Sequence, residues 1–192
     1  SPRLIAVHMT QLTEKEMDWC AEAGVHIVHC PESNLKLASG FTPVAELIKR
    51  GVNISIGTDG AASNNDLDMF AEMRQAAILA KGVSGDPSVV PAYQALQMAT
   101  INAAKALGID SITGTLETGK TADIIAIDLS EIETQPIYNL PSQLVYATSR
   151  DKVSDVWVAG KQLLKQRQLT TLNAQHISAQ AQQWATKIRS SS

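Results

Sequence analysis

The chain has 192 residues, 44% of them hydrophobic and 18% charged, a composition that suits a globular protein long enough to bury a core and argues against disorder. With 16 Lys and Arg against 19 Asp and Glu the formal net charge is −3, so there is no basic surplus to neutralise phosphates and nucleic acid is not an expected partner. No apolar run approaches the roughly 18 residues of a membrane span. The two cysteines, Cys20 and Cys30, read as buried small hydrophobes of a reducing cytoplasm rather than as a disulfide framework.

In chain order, residues 3–8, 25–29 and 53–57 are short and rich in Val and Ile, the pattern of buried strands. Residue 1 leads almost directly into the first of them with no signal-peptide organisation, so the chain is expected to begin within a fold. Between the first two strands Thr13 and Glu16 form a capping-box pattern, and Met17, Cys20 and Ala21 share a face of a helix that Gly24 stops. A second helix starts near Pro43 and carries Val44, Leu47 and Ile48 to Gly51. Strands alternating with helices point to parallel βα units, in a barrel or an open sheet.

Longer helices are expected over residues 67–81 and 92–107, the first capped by Ser63 or Asn65. From Gly114 to Leu169 the sequence reads as strands and turns, with strong alternation over 123–128, a strand over 153–159 and a turn at Gly160 and Lys161 into 162–165. This predicts a second, small β domain. Finally, residues 174–189 place Ile177, Ala181, Trp184 and Ile188 on one helical face, which is expected to dock on the body.

Parallel βα units gather function where their strands end, because the loops there meet over one ligand. His8 closes the first strand, His29 closes the second, and Asp59 lies just past the third. A single such residue is commonly structural, whereas three at successive strand ends are harder to explain that way. Asp is a hard oxygen ligand for a divalent metal and an acceptor for the proton of a water, and neutral His ligates metal or hydrogen-bonds a developing anion. A hydrolytic metal centre needs three or four protein ligands, and the chain has neither His-x-His nor His-x-x-Glu. The segment HCPESNLKLASG at 29–40 reads as an irregular polar loop at the edge of this site.

The segment AVHMTQLT at 6–13, HCPESNLKLASG at 29–40 and GTDGAASNNDLDMF at 57–70 resemble the sixth, seventh and eighth strand motifs of the amidohydrolase superfamily, and within it the methylthioadenosine/S-adenosylhomocysteine deaminase and chlorohydrolase group. GTLETGKTADIIAID at 114–128 and VSDVWVAGK at 153–161 are similar to the β-sandwich domain that flanks the barrel in these enzymes. The resemblance implies an α/β fold: the C-terminal strands and helices of a metal-dependent hydrolase TIM-type (β/α)8 barrel over 1–113, part of a composite β-sandwich domain over 114–170 and a C-terminal helix over 171–192. It implies one divalent metal, zinc, that activates water for attack on an aromatic carbon bearing an amino group. Asp59 matches the eighth-strand aspartate, a metal ligand, proton acceptor and substrate contact. His8 matches the sixth-strand histidine, which polarises the water or stabilises the tetrahedral intermediate. His29 falls in the seventh-strand motif as a loop-organising or substrate-binding residue.

The first-strand His-x-His pair and the fifth-strand His and Glu of the family are not in this sequence, and on this reading they lie upstream. Gln11 stands where many relatives carry a second histidine, a difference expected to alter substrate contacts. The implied activity is hydrolytic deamination of an aminopurine nucleoside by the complete, cytoplasmic protein, with the N-terminal half of the barrel and a second copy of the protein as expected partners. Expulsion of chloride or a substituted amine from a triazine is the alternative within the fold. A non-catalytic barrel fragment serving as an interaction module is the alternative of another class.

Overall fold

The computed structural model describes residues 1–190, so the last two positions of the expected C-terminal segment lie outside the described residues. Ile5–Val7 (β1), His26–His29 (β2) and Asn53–Ile56 (β3) form a three-stranded parallel sheet in the order β1-β2-β3. In register, Val7 faces Val28 and His29 faces Ile56. Parallel strands need crossovers, and the helices that supply them carry the apolar faces. Helix α1 (Glu14–Glu22) has the full capping box, with the Thr13 side chain accepting from the Glu16 amide and the Glu16 carboxylate accepting from the Thr13 amide. Its Met17 and Cys20 are buried. Helix α3 (Val44–Lys49) buries Val44, Ala45 and Leu47.

Met17, Cys20, Val44 and Leu47 meet Ile27, Ile54 and Ile56 in one core with Phe70, Met73, Ala76 and Ala77 of α4 (Met69–Ser84) and with Ala95 and Met98 of α5 (Ala92–Ala99). Fully burying an aliphatic side chain of this size is worth about 1.5–3 kcal/mol. The core therefore fixes the strand ends that carry the candidate residues.

Three expectations change within residues 1–113. Residues 31–36, read as irregular loop, form the helix α2 (Pro31–Lys36), which starts on a proline suited to a first turn. The single helix expected over 92–107 is two, α5 and α6 (Ile101–Leu107), broken at Thr100 with φ −129° and ψ −97°. Asn102 explains the break, because its Nδ2 donates to the Ile54 carbonyl at 3.0 Å while its own carbonyl accepts from Asn53 Nδ2 at 2.9 Å. The cap of α4 is Asp68, whose carboxylate accepts from the Phe70 and Ala71 amides, not Ser63 or Asn65.

Beyond α6, Ile124–Ile127 (β4), Val153–Val158 (β5), Lys161–Lys165 (β6) and Gln168–Leu169 (β7) make an antiparallel sheet in the order β4-β5-β6-β7. Between β4 and β5 the chain returns to the first core through the short helix α7 (Leu140–Ser142) and the wide turn 143–147, where Val145 is fully buried. Arg74 of α4 clamps that turn by donating to the carbonyls of Val145 at 3.3 Å and Thr148 at 2.8 Å. The last helix, α8 (Ala174–Ser190), buries none of its residues, and Trp184 is 63% exposed. The expected docking of its apolar face on the described body is not observed. Amphipathic spacing shows that a face is apolar without specifying what covers it.

Candidate functional site

The parallel register sets the three strand ends at one level. His8 follows β1 and its amide donates to the Val28 carbonyl at 3.0 Å, while Gly57 follows β3 and its amide donates to the His29 carbonyl at 3.0 Å. Both turns leave the sheet sharply. His8 (φ 68°), Met9 (φ 51°) and Asp59 (φ 61°) all adopt the left-handed conformation that L side chains rarely occupy. Each such residue costs about 1–3 kcal/mol, and clusters of them accompany functional sites. Gly57 admits no side chain, since a Cβ there would lie 2.9 Å from Val28 Cγ1.

Asp59 Oδ2 accepts hydrogen bonds from Ser33 Oγ at 2.7 Å and Ser63 Oγ at 2.6 Å, and it stands 3.9 Å from His8 Nε2. The bonds from Ser63, then Ser33, then the Gly60 backbone favour the charged form and hold this carboxyl down at about 2. Asp59 and His8 keep 33% and 39% of their side-chain surface accessible. An ionised carboxylate and an imidazole therefore face a shared, open space.

His8 is held from the other side. Its Nδ1 lies 2.8 Å from Asn34 Oδ1, and its carbonyl accepts from Thr42 Oγ1 at 2.5 Å. The same Thr42 Oγ1 meets Asn34 Nδ2 at 3.3 Å and His29 Nδ1 at 3.0 Å. His29 is only 1% exposed, and burial, followed by the nearby His8, lowers its pKa from 6.5 to about 4. Its ring faces Thr42 rather than the open space.

Helix α2 also fastens the loop that carries Asp59. Lys36 Nζ donates to the Ala62 carbonyl at 2.9 Å and to Asn65 Oδ1 at 2.6 Å, and Asn64 Nδ2 donates to Glu32 Oε2 at 3.1 Å and Glu72 Oε1 at 2.5 Å. Glu72 is fully buried, and desolvation raises its pKa to about 7.

The model of the amidohydrolase family matches residues 1–163. The chain belongs to the amidohydrolase family. Among curated amidohydrolase relatives, a 5-methylthioadenosine/S-adenosylhomocysteine deaminase of Teredinibacter turnerae is 52% identical over 188 residues, 98% of this chain and 42% of that protein. A 5'-deoxyadenosine deaminase of Methanococcoides burtonii is 43% identical over 97% of this chain and 43% of its own length. The fold matches a zinc-bound adenosine deaminase of Xanthomonas campestris with a TM-score of 0.97 and 55% identity, over 99% of this chain and 43% of that one. It matches a zinc-bound atrazine chlorohydrolase of Arthrobacter aurescens with a TM-score of 0.87 and 27% identity, over 94% and 40%. This amidohydrolase chain thus spans less than half the length of these relatives.

Of the residues singled out from the amidohydrolase motifs, the structure brings His8 and Asp59 together and sets His29 behind them. Among the described residues no group of three or more His, Cys, Asp and Glu side chains could hold a metal. The ionised Asp59 carboxylate is nevertheless a donor type that zinc accepts. Cys30 adds nothing to it, because burial, followed by the Asp59 and Glu72 charges, pushes its thiol up to about 12. Gln11 Nε2 donates to the Ser39 carbonyl at 3.0 Å.

Sequence reasoning missed Ser33, Asn34 and Thr42 as parts of this site. All three are at most 4% exposed. Ser63, expected as a helix cap, bonds Asp59 instead. The detectable signal was the density of hydroxyl and amide residues between 33 and 42, which a loop on the surface does not need.

Proposed function

We propose that the protein containing this chain is a metal-dependent aminohydrolase that deaminates an aminopurine nucleoside of the methylthioadenosine or S-adenosylhomocysteine type. The observation that carries this reading is the pairing of ionised Asp59 with His8 at aligned parallel strand ends, in a chain about half identical to relatives named as deaminases of such nucleosides. On this reading β1, β2 and β3 are the sixth, seventh and eighth strands of a (β/α)8 barrel, and the remaining metal ligands come from outside this chain. Residues 1–113 then belong to the barrel, 114–170 to the β-sandwich domain and 171–192 to the C-terminal helix. The 143–147 turn reaches back into the barrel core. The missing half of the barrel covers the open sheet edges, since strands of such a sheet are paired on both sides once the barrel closes.

A bound zinc ion would supply Lewis acidity that makes a water acidic near neutral pH. Asp59 would help hold that metal, accept the proton the attacking water loses, and pass it to the departing amine. With its low pKa Asp59 is available in the basic form throughout neutral pH. His8, 3.9 Å away, donates or accepts at the oxygen that adds to the ring. His29 is a positioning residue rather than a substrate contact.

Full-length protein loaded with zinc should release ammonia from methylthioadenosine, S-adenosylhomocysteine or 5'-deoxyadenosine. Asp59→Asn should lower kcat by about 10²–10⁴-fold, the range for loss of a general acid–base group. Absence of ammonia from every aminopurine tested sinks the reading. The likeness to the atrazine chlorohydrolase supports a second reading, chloride release from a triazine, and a chloride assay on the same samples separates the two. If the fragment instead serves as an interaction module, Asp59→Ala leaves its binding intact and no hydrolysis is found in any assay.

A further inference from the structure

We propose that Thr42 and Asn34 fix the tautomer of His8, keeping its proton on Nδ1 and leaving Nε2 bare toward Asp59. One hydroxyl sets the arrangement. Thr42 Oγ1 carries a single proton, and 2.5 Å away lies the His8 carbonyl, which can only accept. That proton is therefore committed. Two further neighbours of Oγ1 remain, Asn34 Nδ2 at 3.3 Å and His29 Nδ1 at 3.0 Å, and both must donate to its lone pairs.

The consequence runs outward in two directions. His29 is set with its proton on Nδ1. Asn34 is set with its NH2 toward Thr42, which turns Oδ1 toward His8. An amide oxygen cannot donate, so the contact at 2.8 Å requires a proton on His8 Nδ1. Neutral His8 then presents an unprotonated Nε2 to the space shared with Asp59 Oδ2, 3.9 Å away, a gap wide for a direct hydrogen bond.

Burial makes the arrangement firm. Thr42, Asn34 and His29 are 4%, 1% and 1% exposed, so water does not replace a lost partner without cost. Turning the Asn34 amide over would set its oxygen against a hydroxyl oxygen whose proton is already committed, leaving two buried acceptors facing each other without a proton between them. Thr42 and Asn34 touch no reacting atom in this scheme. They are positioning residues.

The catalytic consequence rests on the reading that His8 exchanges a proton at the reacting atoms, whereas the hydrogen-bond assignment does not. The test uses full-length protein labelled with 15N-histidine, in which long-range proton–nitrogen correlation shows which ring nitrogen of each neutral histidine is protonated. His8→Gln identifies the His8 signals. Expected are a protonated Nδ1 and a bare Nε2 in the wild type, the same pattern in Thr42→Ser, and a mixed or reversed pattern in Thr42→Val, with kcat down on the order of tenfold and KM unchanged.

A wild-type spectrum with the His8 proton on Nε2 overturns the proposal, whatever the variants do and whether or not they fold. An unchanged His8 pattern in folded Thr42→Val overturns the part given to Thr42. If the spectra follow expectation while His8→Gln still releases ammonia at the wild-type rate, the tautomer assignment holds and the functional reading of His8 fails.

Discussion

His29 is a histidine kept neutral by its surroundings, and the price appears in acid. Above pH 6.5 the ring is neutral in both the folded and unfolded chain and contributes no pH dependence. Between 6.5 and about 4 the unfolded chain takes up a proton that the folded one refuses, so stability falls as pH falls, by up to ~3 kcal/mol on the scale of 1.36 kcal/mol per pKa unit. Thermal melts of the full-length protein should show this loss, and His29→Gln, whose amide can still donate to Thr42, should flatten that part of the profile. Asp59 has the same sign in a lower window: its stabilising bonds are fully present above its usual value of 3.8 and are lost as pH falls through about 2. His8, His29 and Asp59 were visible in the sequence because charge-bearing residues at strand ends stand out from an apolar pattern. Asn34 and Thr42 were not, because uncharged polar residues between elements are ordinarily solvent-facing, and only the structure shows these to be buried.

At the scale of elements, periodicity located the strands and the helices whose buried faces are apolar. It failed at α2, whose buried residues are Pro31, Ser33 and Asn34, so the inward face of this helix is polar and reads as loop. It also failed at Thr100, where neither Pro nor Gly marks the break and the cause is the pair of hydrogen bonds between Asn102 and β3. The start of α4 was placed too early for a related reason: Asn64, which keeps its Nδ2 on Glu72 and Glu32, accepts the Leu67 amide at 2.8 Å through Oδ1 and holds the turn open until Asp68. Asp68→Ala should cost about 1 kcal/mol, the usual cost of losing an N-cap carboxylate. Denaturant unfolding of the two proteins checks this, and since the Asp59 loop runs directly into α4, the variant should also weaken zinc retention.

For the whole molecule, the parallel sheet has three strands, and β1 and β3 are its edges among the described residues. Asp59 is the one metal ligand proposed from this chain, and a carboxylate with one neighbouring imidazole cannot close a metal site. The isolated 192-residue chain should accordingly retain far less than one equivalent of zinc after dialysis, whereas the full-length protein should retain about one, the complement of a catalytic site with three or four protein ligands. Elemental analysis of both samples decides it, and a stoichiometric amount in the isolated chain contradicts the reading. No helix in the described residues is long and apolar enough to cross a membrane.

By itself the sequence determined the βα alternation, the later antiparallel hairpin and the strand-end positions of His8, His29 and Asp59, because each is written in local periodicity, in turn residues or in a motif. Only the tertiary structure decided that Asp59 and His8 face one another, that His29 turns inward to Thr42, and that α2 carries the polar side chains that fasten both. Those facts depend on the parallel register of the strands and on which hydroxyl meets which amide across the packed strand ends, relations between separate elements that no local pattern encodes.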